Sequence, residues 1–206
     1  MSQINLGIIG GGQLGSMLST AAKKMNINTT VYCDDAEAPA QNFCDEFIFS
    51  EYDNKKKILE FVSKVDLVTY EFENIPYETL SEINKIKPVL PKPSVNRLIQ
   101  HRLAEKDFIN KLNIRTTRYV NIEKKTDIET LEDFLPGILK TATMGYDGKG
   151  QFLINKIEDL NSIDVDFSKG YVLEKLVKLK KEISVVLTRF GNNSYEIYEP
   201  IENMHQ

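Results

Sequence analysis

The chain has 206 residues, 41% hydrophobic and 27% charged, with two Cys, no Trp and a formal net charge of -4. At roughly 150 residues per domain this is one large domain or two small ones, long enough to bury about 70% of its unfolded surface. The acidic balance argues against a generic nucleic-acid binder, no apolar run approaches the ~18 residues that span a membrane, and two Cys outside any CxxC motif exclude a disulfide framework.

The N-terminal segment, Met1 to Leu6, has no basic stretch and its apolar run breaks at Gly10, unlike a signal peptide. Ile4 to Ile9 reads as a buried strand, Gly10 to Gly15 as a glycine-rich turn, and Gln13 to Lys24 as a helix with Leu14, Met17, Leu18 and Ala21 at helical spacing. Strands follow at Thr29 to Cys33, Glu46 to Phe49 and Leu67 to Glu71, with helices at Lys55 to Ser63 and Tyr77 to Ile86. Alternating strands and helices with short loops predict a parallel sheet covered by helices. Cys33 and Cys44 read as buried thiols of a reducing cytosol.

Three prolines, Pro88, Pro91 and Pro93, interrupt the pattern, and a domain boundary is expected there, separating residues 1–93 from 94–206. Beyond it, Ser94 is expected to cap a helical region running to Leu112. Tyr119 to Ile122 reads as a strand, and Thr126 to Glu129 as a capping box opening a short helix. Ile138 to Lys140, Gln151 to Ile154, Tyr171 to Glu174 and Glu182 to Thr188 read as strands.

Two glycine loops carry the chemistry. Gly10 to Gly15 fits G-x-G-x-x-G between a strand and a helix, and Asp34 and Asp35 end the next strand about 20 residues on, as in a dinucleotide site. On the residues alone, NAD, a phosphate-bearing substrate and a purely structural turn all remain open. Gly145-Tyr146-Asp147-Gly148-Lys149-Gly150-Gln151 joins two short strands. It lacks Walker A spacing, but three glycines and a Lys can fold over phosphates as an anion nest, or form a plain hairpin turn. Lys140 lies just upstream, at the end of a strand.

Taken together, Gly10 to Gly15, Thr69-Tyr70-Glu71-Phe72-Glu73-Asn74-Ile75-Pro76, Gln100 to Lys106, Lys140-Thr141 and Gly145 to Gln151 resemble the 5-(carboxyamino)imidazole ribonucleotide synthase family of ATP-grasp enzymes, in order along the whole chain. The formate-dependent glycinamide ribonucleotide transformylases share the architecture but usually carry Ser-Ser-Gly-Lys-Gly-Gln in the lid and lack the Tyr-Glu-Phe-Glu segment.

The resemblance implies an α/β fold: a Rossmann-like pre-ATP-grasp parallel sheet followed by an incomplete ATP-grasp α+β domain. It implies a cytoplasmic ligase of purine biosynthesis that uses ATP, Mg and bicarbonate to carboxylate 5-aminoimidazole ribonucleotide (AIR). Its partners are these small molecules, with no nucleic acid or membrane, and a homodimer is common among relatives.

By position, Arg102 and Lys140 resemble the cations that meet ATP phosphates, and Gly145 to Gln151 (Gly145, Tyr146, Asp147, Gly148, Lys149, Gly150, Gln151) the lid. Within the lid, Tyr146, Asp147 and Lys149 face bicarbonate or AIR as catalytic groups. Glu174, Lys175, Leu176 and Val177 resemble the adenine hinge, Glu182 the ribose-binding carboxylate, and His205 the Glu-Asn-x-His position near the nucleotide. Gly12, Gln13, Leu14, Glu71, Glu73 and Asn74 resemble the AIR side.

Met144 departs from the family, standing where relatives carry Gly, which stiffens the lid. The metal ligands and the C-terminal domain of the family are expected beyond residue 206, so the chain reads as truncated and inactive alone. A non-catalytic fragment with an exposed apolar edge and an NAD-binding module are the alternatives.

Overall fold

The computed structural model describes residues 3–145, 150–191 and 194–204. Strand β1 (Asn5–Ile9), helix α1 (Gln13–Lys24), β2 (Asn28–Cys33), β3 (Glu46–Phe49), α2 (Lys55–Ser63), β4 (Leu67–Tyr70) and α3 (Tyr77–Asn84) form the first unit. Its sheet has the order β3-β2-β1-β4 and all pairs are parallel. Parallel strands covered on both faces are buried on both faces. Ile9, Tyr32, Ile48, Phe61, Val68, Leu80 and Ile83 fill one side, against α2 and α3, while Ile8, Val31, Cys33, Ala38 and Ala40 fill the other. Both β1 and β4 end at their C-terminal edge in the loops of the candidate site, where open parallel sheets place their ligands.

The helical stretch expected from Ser94 to Leu112 is two helices, α4 (Pro93–Ile99) and α5 (Arg102–Lys111). Ser94 does not cap: Pro93 opens α4 as its first residue, where the missing N–H is harmless. The break comes from His101, whose extended backbone starts a new helix and whose Nδ1 accepts the Ala104 N–H at 3.4 Å. α4 packs on α3, linking the first unit to the second.

The second unit contains β5 (Tyr119–Ile122), α6 (Lys125–Glu129), β6 (Gly137–Thr141), β7 (Gln151–Ile154) and β8 (Tyr171–Lys175). The N-cap of α6 is Lys124, two residues before the expected Thr126, and Asp127, three residues on, reaches back so that its Oδ2 accepts the Glu123 and Lys124 N–H groups at 3.0 Å each. The sheet is antiparallel, ordered β5-β8-β6-β7, over a core of Ile122, Ile128, Leu139, Ile154, Leu160, Tyr171 and Leu173.

The strand expected from Glu182 to Thr188 splits into β9 (Glu182–Ser184) and β10 (Leu187–Phe190), followed by β11 (Ser194–Ile197) and β12 (Ile201–Asn203). These pair as β10-β11 and β12-β9. The apolar side chains of this arm, including Ile183, Val186, Leu187, Phe190, Tyr195, Ile197 and Ile201, are all exposed. Large contiguous apolar exposure is uncommon on a soluble monomer.

Candidate active site

The first glycine loop is shaped around a carboxylate. Gly10 sits at φ +97°, and a Cβ there would lie 2.7 Å from Glu71 Oε1, so both the backbone and the space require glycine. Oε1 accepts the Gly12 N–H at 3.0 Å. A protein carboxylate therefore occupies the position facing the N-terminus of α1 where a dinucleotide would present its pyrophosphate. That arrangement disfavours the NAD reading left open by the motif. Gln13 and Leu14 follow on the first turn of α1 and are exposed.

The loop after β4 carries Glu73, exposed, and Asn74, half-buried. It is held from α4 by side-chain amides. Asn96 Nδ2 donates to the Glu73 carbonyl at 2.8 Å, and Gln100 Nε2 donates to the Glu73 and Ile75 carbonyls at 2.7 Å each. Asn96 is fully buried.

Across from this loop, Arg102 begins α5. Its backbone N–H donates to the Ala142 carbonyl at 2.8 Å and its Nε to the Thr141 carbonyl at 3.3 Å, fastening α5 to the end of β6. A cleft of about 340 Å³ lies between the two parts, lined by Glu73, Asn74, Gln100, Arg102, Glu105 and Gly145 among others. The glycine lid springs from its wall. Gly150, at φ +70°, closes the base of that loop: its carbonyl accepts the Thr141 N–H at 3.0 Å, and a Cβ would sit 2.8 Å from the Thr141 side chain. Met144 also has a left-handed backbone, at φ +58°, a position a glycine takes without strain. Gln151 begins β7, exposed. Tyr146, Asp147, Gly148 and Lys149 of the lid, and His205, lie outside the described residues.

Lys140 and Glu174 are brought together by neighbouring strands β6 and β8. Lys140 Nζ donates to Glu174 Oε2 at 2.8 Å. Lys106 of α5 adds a second ammonium 3.1 Å from Oε1. All three side chains are largely buried, at 17%, 8% and 13% exposed for Lys140, Glu174 and Lys106. Burial pushes the Glu174 carboxyl up, but the Lys140 hydrogen bond and the two ammonium charges outweigh it and hold the group below the usual glutamate value.

The segment after Glu174 is held by neighbouring stretches of the chain. The Lys175 N–H donates to the Arg118 carbonyl and the Leu176 N–H to the Pro136 carbonyl, while Lys175 Nζ donates to the Leu135 carbonyl. Leu176 and Val177 are exposed. Glu182 lies on β9, where its Oε1 accepts from Asn203 Nδ2 at 3.1 Å.

The structure thus gathers Glu73, Asn74, Arg102 and Gly145 on one cleft and joins Lys140 to Glu174. It sets Glu182 on the exposed arm. Lys106, Asn96, Gln100 and Glu105 were given no individual role by the sequence, although Gln100 to Lys106 belongs to the segments that carry the resemblance. Lys106 lies four residues after Arg102 on the same face of α5, but that spacing alone does not mark it as buried. Among the described residues no group of three or more His, Cys, Asp or Glu side chains could hold a metal. These described side chains do not fit a magnesium site. Cys33 and Cys44 are both unpaired thiols, pushed up by burial and so poorly reactive. No helix among the described residues is long and apolar enough to cross a membrane.

A parallel sheet covered by helices and followed by an antiparallel sheet is the arrangement of a pre-ATP-grasp domain leading into an ATP-grasp domain. Residues 1–100 match the ribonucleotide synthetase pre-ATP-grasp domain, and residues 107–206 the ATP-grasp domain. Along nearly its whole length the chain is similar to N5-carboxyaminoimidazole ribonucleotide synthases.

It is 35% identical over 204 residues to the N5-carboxyaminoimidazole ribonucleotide synthase of Staphylococcus aureus strain COL, covering 98% of this chain and 54% of that protein. It is 34% identical over 209 residues to the Brucella melitensis enzyme, covering 98% and 57%. The crystal structure of the Staphylococcus aureus synthetase complexed with ADP superposes with a TM-score of 0.91 at 34% identity, over 100% of this chain and 56% of that one. That of the Thermus thermophilus synthetase gives 0.88 at 30%, over 98% and 55%. The chain spans about half the length of the curated relatives it matches.

Proposed function

We propose that the protein works in the ATP-dependent carboxylation of AIR. Bicarbonate takes the γ-phosphoryl group of ATP to give carboxyphosphate and ADP. The AIR amine then captures the carboxyl carbon, directly or after release of carbon dioxide, as phosphate leaves and the amine gives up a proton. The observation that carries this reading is the cleft that faces Glu73 and Asn74 on one side and Arg102 and Gly145 on the other. The reading assigns the acceptor to the first side and the phosphates to the second, in the chain order that the family uses. That the Staphylococcus aureus relative was solved complexed with ADP supports an adenine nucleotide as ligand.

In this reading residues 1–93 bind AIR through Gly12, Gln13, Leu14, Glu71, Glu73 and Asn74, and residues 94–206 bind the nucleotide. Arg102 and Lys140 neutralise phosphate charge, which is the main task in phosphoryl transfer. With the Lys175 and Leu176 amides engaged, the Val177 N–H is the hinge donor left for adenine. Glu182 holds the ribose hydroxyls and His205 lies near the nucleotide. The lid, Gly145 to Gln151, keeps water from carboxyphosphate, and Asp147, with Tyr146 and Lys149 beside it, takes the proton from the acceptor amine. Magnesium, where bound, supplies further charge neutralisation. The reading also makes the protein a cytoplasmic homodimer, a compartment its two unpaired thiols suit.

ADP formation with ATP, magnesium, bicarbonate and AIR tests it. In a protein of the relatives' full length the expected result is AIR-dependent ADP release that Asp147→Ala abolishes, and the 206-residue chain alone is expected to give none. ADP release indifferent to AIR, or supported instead by formate and glycinamide ribonucleotide, would overturn it.

A further inference from the structure

The buried cluster of Lys106, Glu174 and Lys140 poses a charge problem for any ligand that needs Lys140. Lys140 is bonded to Glu174 Oε2. A buried carboxylate that loses its only partner becomes strongly unfavourable. Drawing Lys140 toward a polyphosphate would therefore be opposed by the carboxylate it leaves. Lys106 removes that obstacle, because it sits 3.1 Å from the other oxygen. Oε1 nevertheless has no well-aligned hydrogen-bond donor among the described residues, so the Lys106 contact is Coulombic and has room to tighten. Lys106 also lies 5.4 Å from the centre of the Tyr119 ring, a second anchor that keeps it in place.

We propose that Lys106 is a positioning residue, the retained counter-ion of Glu174 that frees Lys140 to bind the phosphates of an adenine nucleotide. The cluster carries two ammonium groups and one carboxylate, so one positive charge is left for the nucleotide. The inference rests on the assignment of Lys140 to the phosphates, and it makes Lys106 a part of nucleotide affinity without phosphate contact of its own.

The test is titration of the protein with ADP and, separately, with adenosine, followed by NMR, in Lys106→Met, Lys106→Arg, Lys140→Met and the double variant Lys106→Met/Glu174→Gln. Lys106→Met is expected to weaken ADP binding about tenfold or more and to leave adenosine binding unchanged. Lys106→Arg restores ADP binding, and the double variant binds ADP as Glu174→Gln alone does, because a neutral amide needs no counter-ion. Unchanged ADP affinity in Lys106→Met overturns the proposal. So does an equal loss for ADP and adenosine, or a further loss on adding Lys106→Met to Glu174→Gln, either of which marks a merely structural lysine. If Lys106→Met does not fold, the double variant against Glu174→Gln alone decides: equal ADP affinities are expected, and a further loss overturns the proposal. Full ADP affinity in Lys140→Met, or no binding of ADP by the unaltered protein, instead overturns the phosphate assignment beneath it.

Discussion

Glu71 and Gly12, 59 residues apart, are joined by a hydrogen bond from the Gly12 N–H to Glu71 Oε1 at 3.0 Å. The bond locks the first glycine loop to the C-terminal edge of β4 and gives that loop an internal anion. Glu71→Ala is expected to lower stability by about 1–3 kcal/mol, the range for hydrogen bonds to a charged group, read from urea unfolding. NADH fluorescence should show no saturable binding to the unaltered protein. Micromolar NADH binding would mean that the carboxylate leaves the loop when a dinucleotide arrives.

The loop bearing Glu73 and Asn74 depends on α4 for its shape. Gln100 Nε2 bonds both the Glu73 and Ile75 carbonyls. Gln100→Leu removes both bonds, each of about 1 kcal/mol. AIR affinity, measured by calorimetry, should fall roughly 5- to 30-fold with ADP affinity unchanged. Equal losses for both ligands would show that α4 supports the whole cleft and not the AIR side.

Glu174 makes stability depend on pH with a definite sign. Its carboxyl is held below the usual glutamate value in the folded protein. The stabilisation is thus present above the unfolded value of about 4.3 and is lost as pH falls through the lower folded value. Glu174→Gln leaves Lys106 and Lys140 facing each other without a counter-ion. It should cost about 3 kcal/mol at neutral pH and flatten the acid limb of a stability-versus-pH curve from thermal melts. An unchanged acid limb would place the acid sensitivity elsewhere.

The arm of β9 to β12 has exposed apolar side chains and contributes none to the buried core. Segments with few buried contacts open first. Brief trypsin digestion followed by mass spectrometry should cut first at Lys178, Lys180 and Lys181, all exposed, and leave the two sheets intact. Initial cleavage inside β1 to β8 would contradict this order of local stability.

The first ninety residues were legible because each strand is a short apolar run and each turn is marked by glycine, proline or polar residues. α1, β3 and α2 fall on the expected residues. The second unit was legible in outline, but its breaks were set by single backbone events. His101 caps a new helix, Lys124 caps α6 two residues before Thr126, and the expected Glu182 to Thr188 strand divides between the β9–β12 pair and the β10–β11 hairpin. Of the candidate site, the two glycine loops and Lys140 stood out by motif. Lys106, Asn96 and Gln100 did not, because a lysine or amide on a helix reads as solvated until the strands that bury it are in place. Burial of Lys106 depends on Glu174, 68 positions away, and helical periodicity carries no such information.

One cleft with an AIR side and a nucleotide side is central to the proposed function. Backbone amide NMR of the protein titrated separately with AIR and with ADP tests it most directly. AIR should shift Gly12, Glu73 and Asn74, ADP should shift Lys140 and Glu174 to Val177, and both should shift Arg102 and Gly145, which line the shared cleft. Shifts from both ligands confined to the same residues, or AIR shifts that leave Gly12, Glu73 and Asn74 unmoved, would contradict it.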